Sequence, residues 1–201
     1  MRTPRLLLLS TLALALSLAA CGGGDGKGDK EEEIVAAIDF ALVSTDSDAC
    51  TEAMTQAFSE QGFRQESAGV VEMCESNARA EESPNDPVEV SDVEVDGSKA
   101  TAEIGLTEDG EATGQVFAAA LVEEDGNWKL DELTGYAEFD KGEWVKEQRE
   151  SLEQPYNAVE PQVVDCIVDA YHEMSRPEIE EMILGGSARP ELEIGKRCER
   201  P

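Results

Sequence analysis

Past Pro84 and Pro87 the hydrophobic period of this chain changes from that of a helix to that of a strand. Val88 and Val90 alternate with polar residues, and so do Val93 and Val95. The phase slip at Ser91-Asp92 is what a β-bulge produces. Asp96-Gly97 is a hairpin-turn signal. Ala100, Ala102, Ile104 and Leu106 then alternate cleanly, and Glu108-Asp109-Gly110 turns the chain again. Val116 to Val122 is apolar at both parities, which predicts a central strand covered on both faces. Asp125-Gly126 makes a third turn, and Trp128-Lys129-Leu130-Asp131 opens a fourth strand ending near Tyr136. Period-two stretches separated by tight turns specify an antiparallel meander of four strands.

Helical periodicity lies on either side. Glu31-Glu32-Glu33 opens a helix with negative charge where the dipole favours it, and Ile34, Ile38, Ala41 and Leu42 recur on one face. A second helix is expected from Asp48, with Cys50, Ala53, Met54, Ala57 and Phe58 inward, ending at Gly62. A third covers 66–80 with Val70, Val71 and Cys74 inward. After the meander, 143–154 reads as a charged helix held by Trp144 and Val145. Val163, Cys166, Ile167, Ala170 and Met174 form an apolar stripe. Ser175-Arg176-Pro177-Glu178 fits a capping box with Pro in the first turn, opening a short helix that stops at Gly185-Gly186 before the tail returns to Cys198.

The chain start is of another kind. Arg2 and Arg5 precede Leu6 to Ala20, which is 15 residues without a charge. A spanning helix needs about 20 apolar residues, so this run is too short to cross a bilayer and reads as an export signal. Leu18-Ala19-Ala20-Cys21 resembles the bacterial lipoprotein signal, which implies that Cys21 receives a diacylglyceryl group and becomes the first mature residue. Two acyl chains anchor stably where one is marginal. Gly22 to Lys30 holds five glycines and reads as a flexible tether. With Cys21 lipidated, Cys50, Cys74, Cys166 and Cys198 remain, and export places them in an oxidising compartment. Four cysteines allow three pairings. Cys50–Cys74 and Cys166–Cys198 are expected, because each pair lies within one module. Spacings without a CxxC or clustered His argue against a metal site.

Beyond Cys21 there are 14 basic and 45 acidic residues. That balance excludes the nucleic-acid binders, whose affinity rests on Lys and Arg neutralising phosphate. It equally excludes a second electrostatic hold on anionic lipid.

Residues 31–138 resemble the nuclear-transport-factor-2-like superfamily, the fold shared with ketosteroid isomerase and SnoaL-type cyclases. They are particularly similar to small exported lipoproteins carrying such a domain. The resemblance rests on the first helix, on Cys50-Thr51-Glu52-Ala53-Met54-Thr55, on the Val93 to Ala102 hairpin and on Asp125-Gly126-Asn127-Trp128-Lys129-Leu130. It implies a curved, cone-like sheet around an apolar pocket, and frequently a homodimer through the open sheet face. It carries over no catalytic residue. The expected architecture is α+β: N-terminal helices on a curved antiparallel four-stranded sheet, plus a C-terminal helical appendage. Its divisions are 1–20 signal, 21–30 lipidated Cys and tether, 31–138 sheet domain and 139–201 disulfide-closed module.

Catalytic chemistry is sparse. There is no Gly-x-Ser-x-Gly, P-loop or dinucleotide fingerprint, and no cofactor is expected. His172, the sole histidine, reads as a surface residue. Glu108-Asp109-Gly110-Glu111 and Glu123-Glu124-Asp125-Gly126 lack the ligand spacing of a calcium loop and read as turns. Asp39 is the sharpest enzymatic candidate, since burial inside a cone would make it a base for an isomerase or cyclase. Phe58, Phe117, Trp128 and Tyr136 are candidates to line a pocket with it. The reading is a membrane-anchored, non-catalytic module that binds a small ligand or an envelope protein, or else an acidic spacer that binds cations.

Overall fold

The computed structural model describes residues 26–64, 69–80, 85–108, 111–154, 159–185 and 189–198. The expected signal and the expected lipidation site at Cys21 lie outside them. The fold is α+β, with one open antiparallel sheet in the order β1-β2-β3-β4. Its strands are β1 (Val88–Asp96), β2 (Lys99–Glu108), β3 (Glu111–Glu124) and β4 (Asn127–Phe139). Helices α1 (Gly26–Leu42), α2 (Ala49–Glu52), α3 (Gln56–Phe63) and α4 (Val70–Ala80) precede it. Helices α5 (Lys141–Leu152), α6 (Pro161–Glu173), α7 (Arg176–Leu184) and α8 (Arg189–Cys198) follow.

The turns follow their glycines. Gly97 has φ +66°, which suits the first central position of a type II′ hairpin turn. Asp125 and Gly126 are both left-handed, at φ 53° and 82°, as a type I′ turn requires. Asp92, also left-handed, sits where the β1–β2 register shifts between Ser91 and Glu94, so the expected bulge is present.

Helix α1 lies against the sheet with Ile34 and Ile38 fully buried and Ala41 nearly so. They pack on Ala102 and Ile104 of β2, Ala119 and Leu121 of β3, and Trp128 and Leu130 of β4. Each buried isoleucine contributes about 1.5–3 kcal/mol. α1 runs close to the backbone of the edge strands β1 and β4. The helix begins at Gly26 and so takes in five residues expected to be tether. Asp29 in its first turn complements the dipole. Lys30 fixes that turn to the sheet: its Nζ is 3.1 Å from Glu123 Oε2 and 5.4 Å from the centre of the Trp128 ring.

The single helix expected from Asp48 is two helices. At the break, Met54 forms a bridge with Leu130: Leu130 N donates to Ala53 O at 2.8 Å, and Thr55 N donates to Leu130 O at 2.9 Å. Thr55 Oγ1 then accepts from Phe58 N and caps α3. Strand pairing thus overrides a helical pattern that looked continuous. Cys50 bonds Cys74, with Cα atoms 5.9 Å apart, and staples α2 to α4.

β3 is central, as expected, but among the described residues only one of its faces is fully buried. Ala119 and Leu121 are buried beneath α1, whereas Val116, Ala118, Ala120 and Val122 are half-buried on the outer face. A chain of small apolar residues gives both parities the same sequence signature.

The C-terminal helices form a second core of Trp144, Val145, Val164, Val168, Tyr171, Ile179 and Met182. Asp140 caps α5, accepting from Gly142 N and Glu143 N. The buried face of α6 is rotated from the expected stripe: Val164, Val168 and Tyr171 are inward, and Val163 and Cys166 stand at the boundary. The capping box is formed, with Ser175 N donating to Glu178 Oε2 at 2.7 Å. The return to Cys198 is a helix, α8, and Cys166–Cys198 joins it to α6 with Cα atoms 5.6 Å apart.

Candidate functional site

The five candidate pocket residues do not converge. Asp39 is exposed on α1, next to the buried stripe but off it. Phe58 and Trp128 are buried in the sheet core. Phe117 and Tyr136 stack on each other with ring centres 4.4 Å apart, towards the far end of β4. From there a chain of rings continues through Phe139 and Trp144 to Tyr171, with centres 4.6, 6.1 and 5.1 Å apart. These rings are packing, and they tie the second core to the end of the sheet. His172 is exposed. Of the two acidic turns, Glu123 and Glu124 are engaged by Lys30 and Lys129, and Asp109-Gly110 lies outside the described residues. Among the described residues, no three His, Cys, Asp or Glu side chains are gathered as a metal site needs.

The inner face of the sheet packs against α1. Open concavities lie elsewhere. One, of about 490 Å³, is bounded by α1, α2 and the β3–β4 turn, with Phe40 and Trp128 apolar and Glu33 and Glu52 acidic. The buried Trp128 Nε1 has no hydrogen-bond partner. Another, of about 460 Å³, is a trough on the outer face of the sheet, opposite α1. The register places Glu94, Thr101, Ala120 and Glu132 in one row across its four strands, so the trough has a small apolar floor between carboxylate walls. Val122 continues the floor, and Lys99 lies beside it. These residues were missed as a site. Only part of their signal is in the sequence: β1 carries Glu89, Glu94 and Asp96 at its polar parity, but the run from Val116 to Val122 does not say which of its parities faces out.

A third arrangement is electrostatic. Tyr136 N donates to Glu180 Oε1 at 3.1 Å, Arg176 donates to Tyr136 O, and Arg176 Nε is 3.0 Å from Glu180 Oε1. Burial, with Glu147 and Glu180 nearby, pushes the Tyr136 hydroxyl up to about 12. Partial burial raises the Glu180 carboxyl, but the Tyr136 amide and Arg176 outweigh it and hold the carboxyl below its usual range. The group holds α7 to β4, and its Glu180 borders an open concavity of about 290 Å³ together with Gln61, Leu133 and Leu184.

No family model matches the chain, and neither a curated protein nor a solved structure matches it. The reading therefore rests on the residues themselves.

Proposed function

We propose that this chain is an exported, lipid-anchored binding module that works by capture rather than by catalysis. The observation that carries this is Leu18-Ala19-Ala20-Cys21, placed after two arginines and 15 uncharged residues. The cysteine pairing supports it. Cys50–Cys74 and Cys166–Cys198 use the four other thiols and leave Cys21 over for the acyl group. The open sheet, with helices before it and α1 against its inner face, supports a cone of the nuclear-transport-factor-2 kind, filled instead of hollow. An isomerase or cyclase built on Asp39 loses its base, because that carboxylate stands in solvent. The test is fractionation of a bacterial host. The wild-type chain should sediment with membranes and the Cys21→Ser variant should not. A wild-type chain released as a soluble protein overturns the proposal.

A further inference from the structure

We propose that the outer face of the sheet docks a basic amphipathic helix of a partner polypeptide. The inference rests on the reading of this chain as a binding module and names the partner's chemistry. Three observations carry it. First, the face is only half-buried along β3, at Val116, Ala118, Ala120 and Val122 in line. Second, the two edge strands turn carboxylates to the same face: Glu94 on β1 and Glu132 on β4 share a row with Ala120, and Glu89 and Glu138 share one with Val116, while Lys99 and Lys129 flank Val122 at the other end. Third, the row through Glu94, Thr101, Ala120 and Glu132 is a trough, not a flat surface.

The dimensions select the occupant. Carboxylate columns on β1 and β4 are three strand spacings apart, or about 14 Å. A helix is about 10–12 Å across and would lie between them, over β2 and β3. The apolar stripe from Val116 to Val122 spans about 20 Å, which matches roughly four turns of helix. Apolar residues of that helix would rest on the stripe. Lysine or arginine on its two flanks would lay their stems along the edges of the trough and reach the carboxylates. A second copy of this chain fits worse, because a two-fold contact through this face sets its acidic columns against each other.

The experiment titrates the full mature chain in detergent micelles with an amphipathic Leu/Lys helical peptide, by calorimetry at physiological ionic strength. A scrambled peptide of the same composition is the control. Two charge reversals of equal size are compared: Glu94→Lys with Glu132→Lys at the trough, and Glu150→Lys with Glu173→Lys at exposed positions on α5 and α6. The expected result is that the trough pair weakens binding by about tenfold more than the distant pair, since local rim charges count beyond the overall field. Ala120→Lys, which only adds a half-exposed side chain, should weaken it too and serves if the double variant does not fold. Equal weakening by both pairs, or equal binding of the scrambled peptide, overturns the proposal in favour of undirected charge attraction. A wild-type dimer that Ala120→Lys dissolves overturns it in favour of self-association. Acyl label on Cys21 is read in parallel. Label without selective binding removes the docking surface alone; selective binding without label removes the anchor and keeps the surface.

Discussion

At the residue scale, the side chain that does most with least local signature is Gln61. Its carboxamide pairs with the Leu133 peptide group in both directions: Nε2 donates to Leu133 O at 2.9 Å, and Oε1 accepts from Leu133 N at 2.8 Å. Nε2 also lies 3.3 Å from Leu184 O at the end of α7. Gln61→Ala should cost about 1–3 kcal/mol in a urea titration, the cost of leaving partly buried peptide groups unmet. A loss within error of zero would show that water replaces the amide. Glu180 predicts an acid limb. Its folded carboxyl lies below 4.5, so it contributes stability above that pH and loses it as the pH falls below 4.5. Glu180→Gln should flatten the decline of the urea midpoint in that window. Tyr136 gives the alkaline counterpart. With its folded value raised from 10.0 to about 12, its contribution is full below pH 10 and is lost as the pH rises to about 12. Absorbance titration should show one tyrosine ionising late, and Tyr136→Phe should remove that step. The capping box and both disulfides were legible because adjacent residues or a short inventory of cysteines define them. Gln61 was not, because its partners are 72 and 123 residues away in sequence.

At the element scale, the free edge of β4 is closed at three points by three devices. Leu130 pairs with the backbone of Ala53 and Thr55, Leu133 with the Gln61 amide, and Tyr136 with Glu180 and Arg176. An open edge invites pairing with another chain, and each device removes one rung of the ladder. The first device also explains why the expected long helix breaks at Met54: the chain gives up a helical turn to satisfy a strand. The strands were readable from alternation and their turns from Gly97 and Gly126. The start of α1 was not, because Lys30 meets Glu123 and Trp128 only after folding. The trough was unreadable for a similar reason, since Val116 to Val122 shows what is apolar but not which parity α1 covers. α8 is mostly exposed, with Leu192 in solvent, and depends on Cys198. Chain entropy values each disulfide at about 3.5 kcal/mol. Cys166→Ser with Cys198→Ser should therefore raise amide exchange across α8 while protection in β2 and β3 persists. Loss of protection in the sheet would show that the staple serves both cores.

At the scale of the whole molecule, two cores meet through a run of aromatic rings at the end of β4. Trp128 lies in the first core and Trp144 in the second, so Trp144→Phe and Trp128→Phe variants give each core its own fluorescence. Because Tyr136, Phe139 and Trp144 are in continuous contact, both reporters should give the same urea midpoint. Separate midpoints would mean that the helical module is an independent unit. The acidic excess keeps such molecules dispersed by mutual repulsion. The proposed anchoring rests on Cys21, and the intact mass of the chain purified from membranes reads that most directly. The account predicts a chain beginning at Cys21, heavier by a diacylglyceryl group and lighter by the hydrogens of two disulfides. A chain cut after Ala19 or Ala20 with an unmodified Cys21 would contradict it.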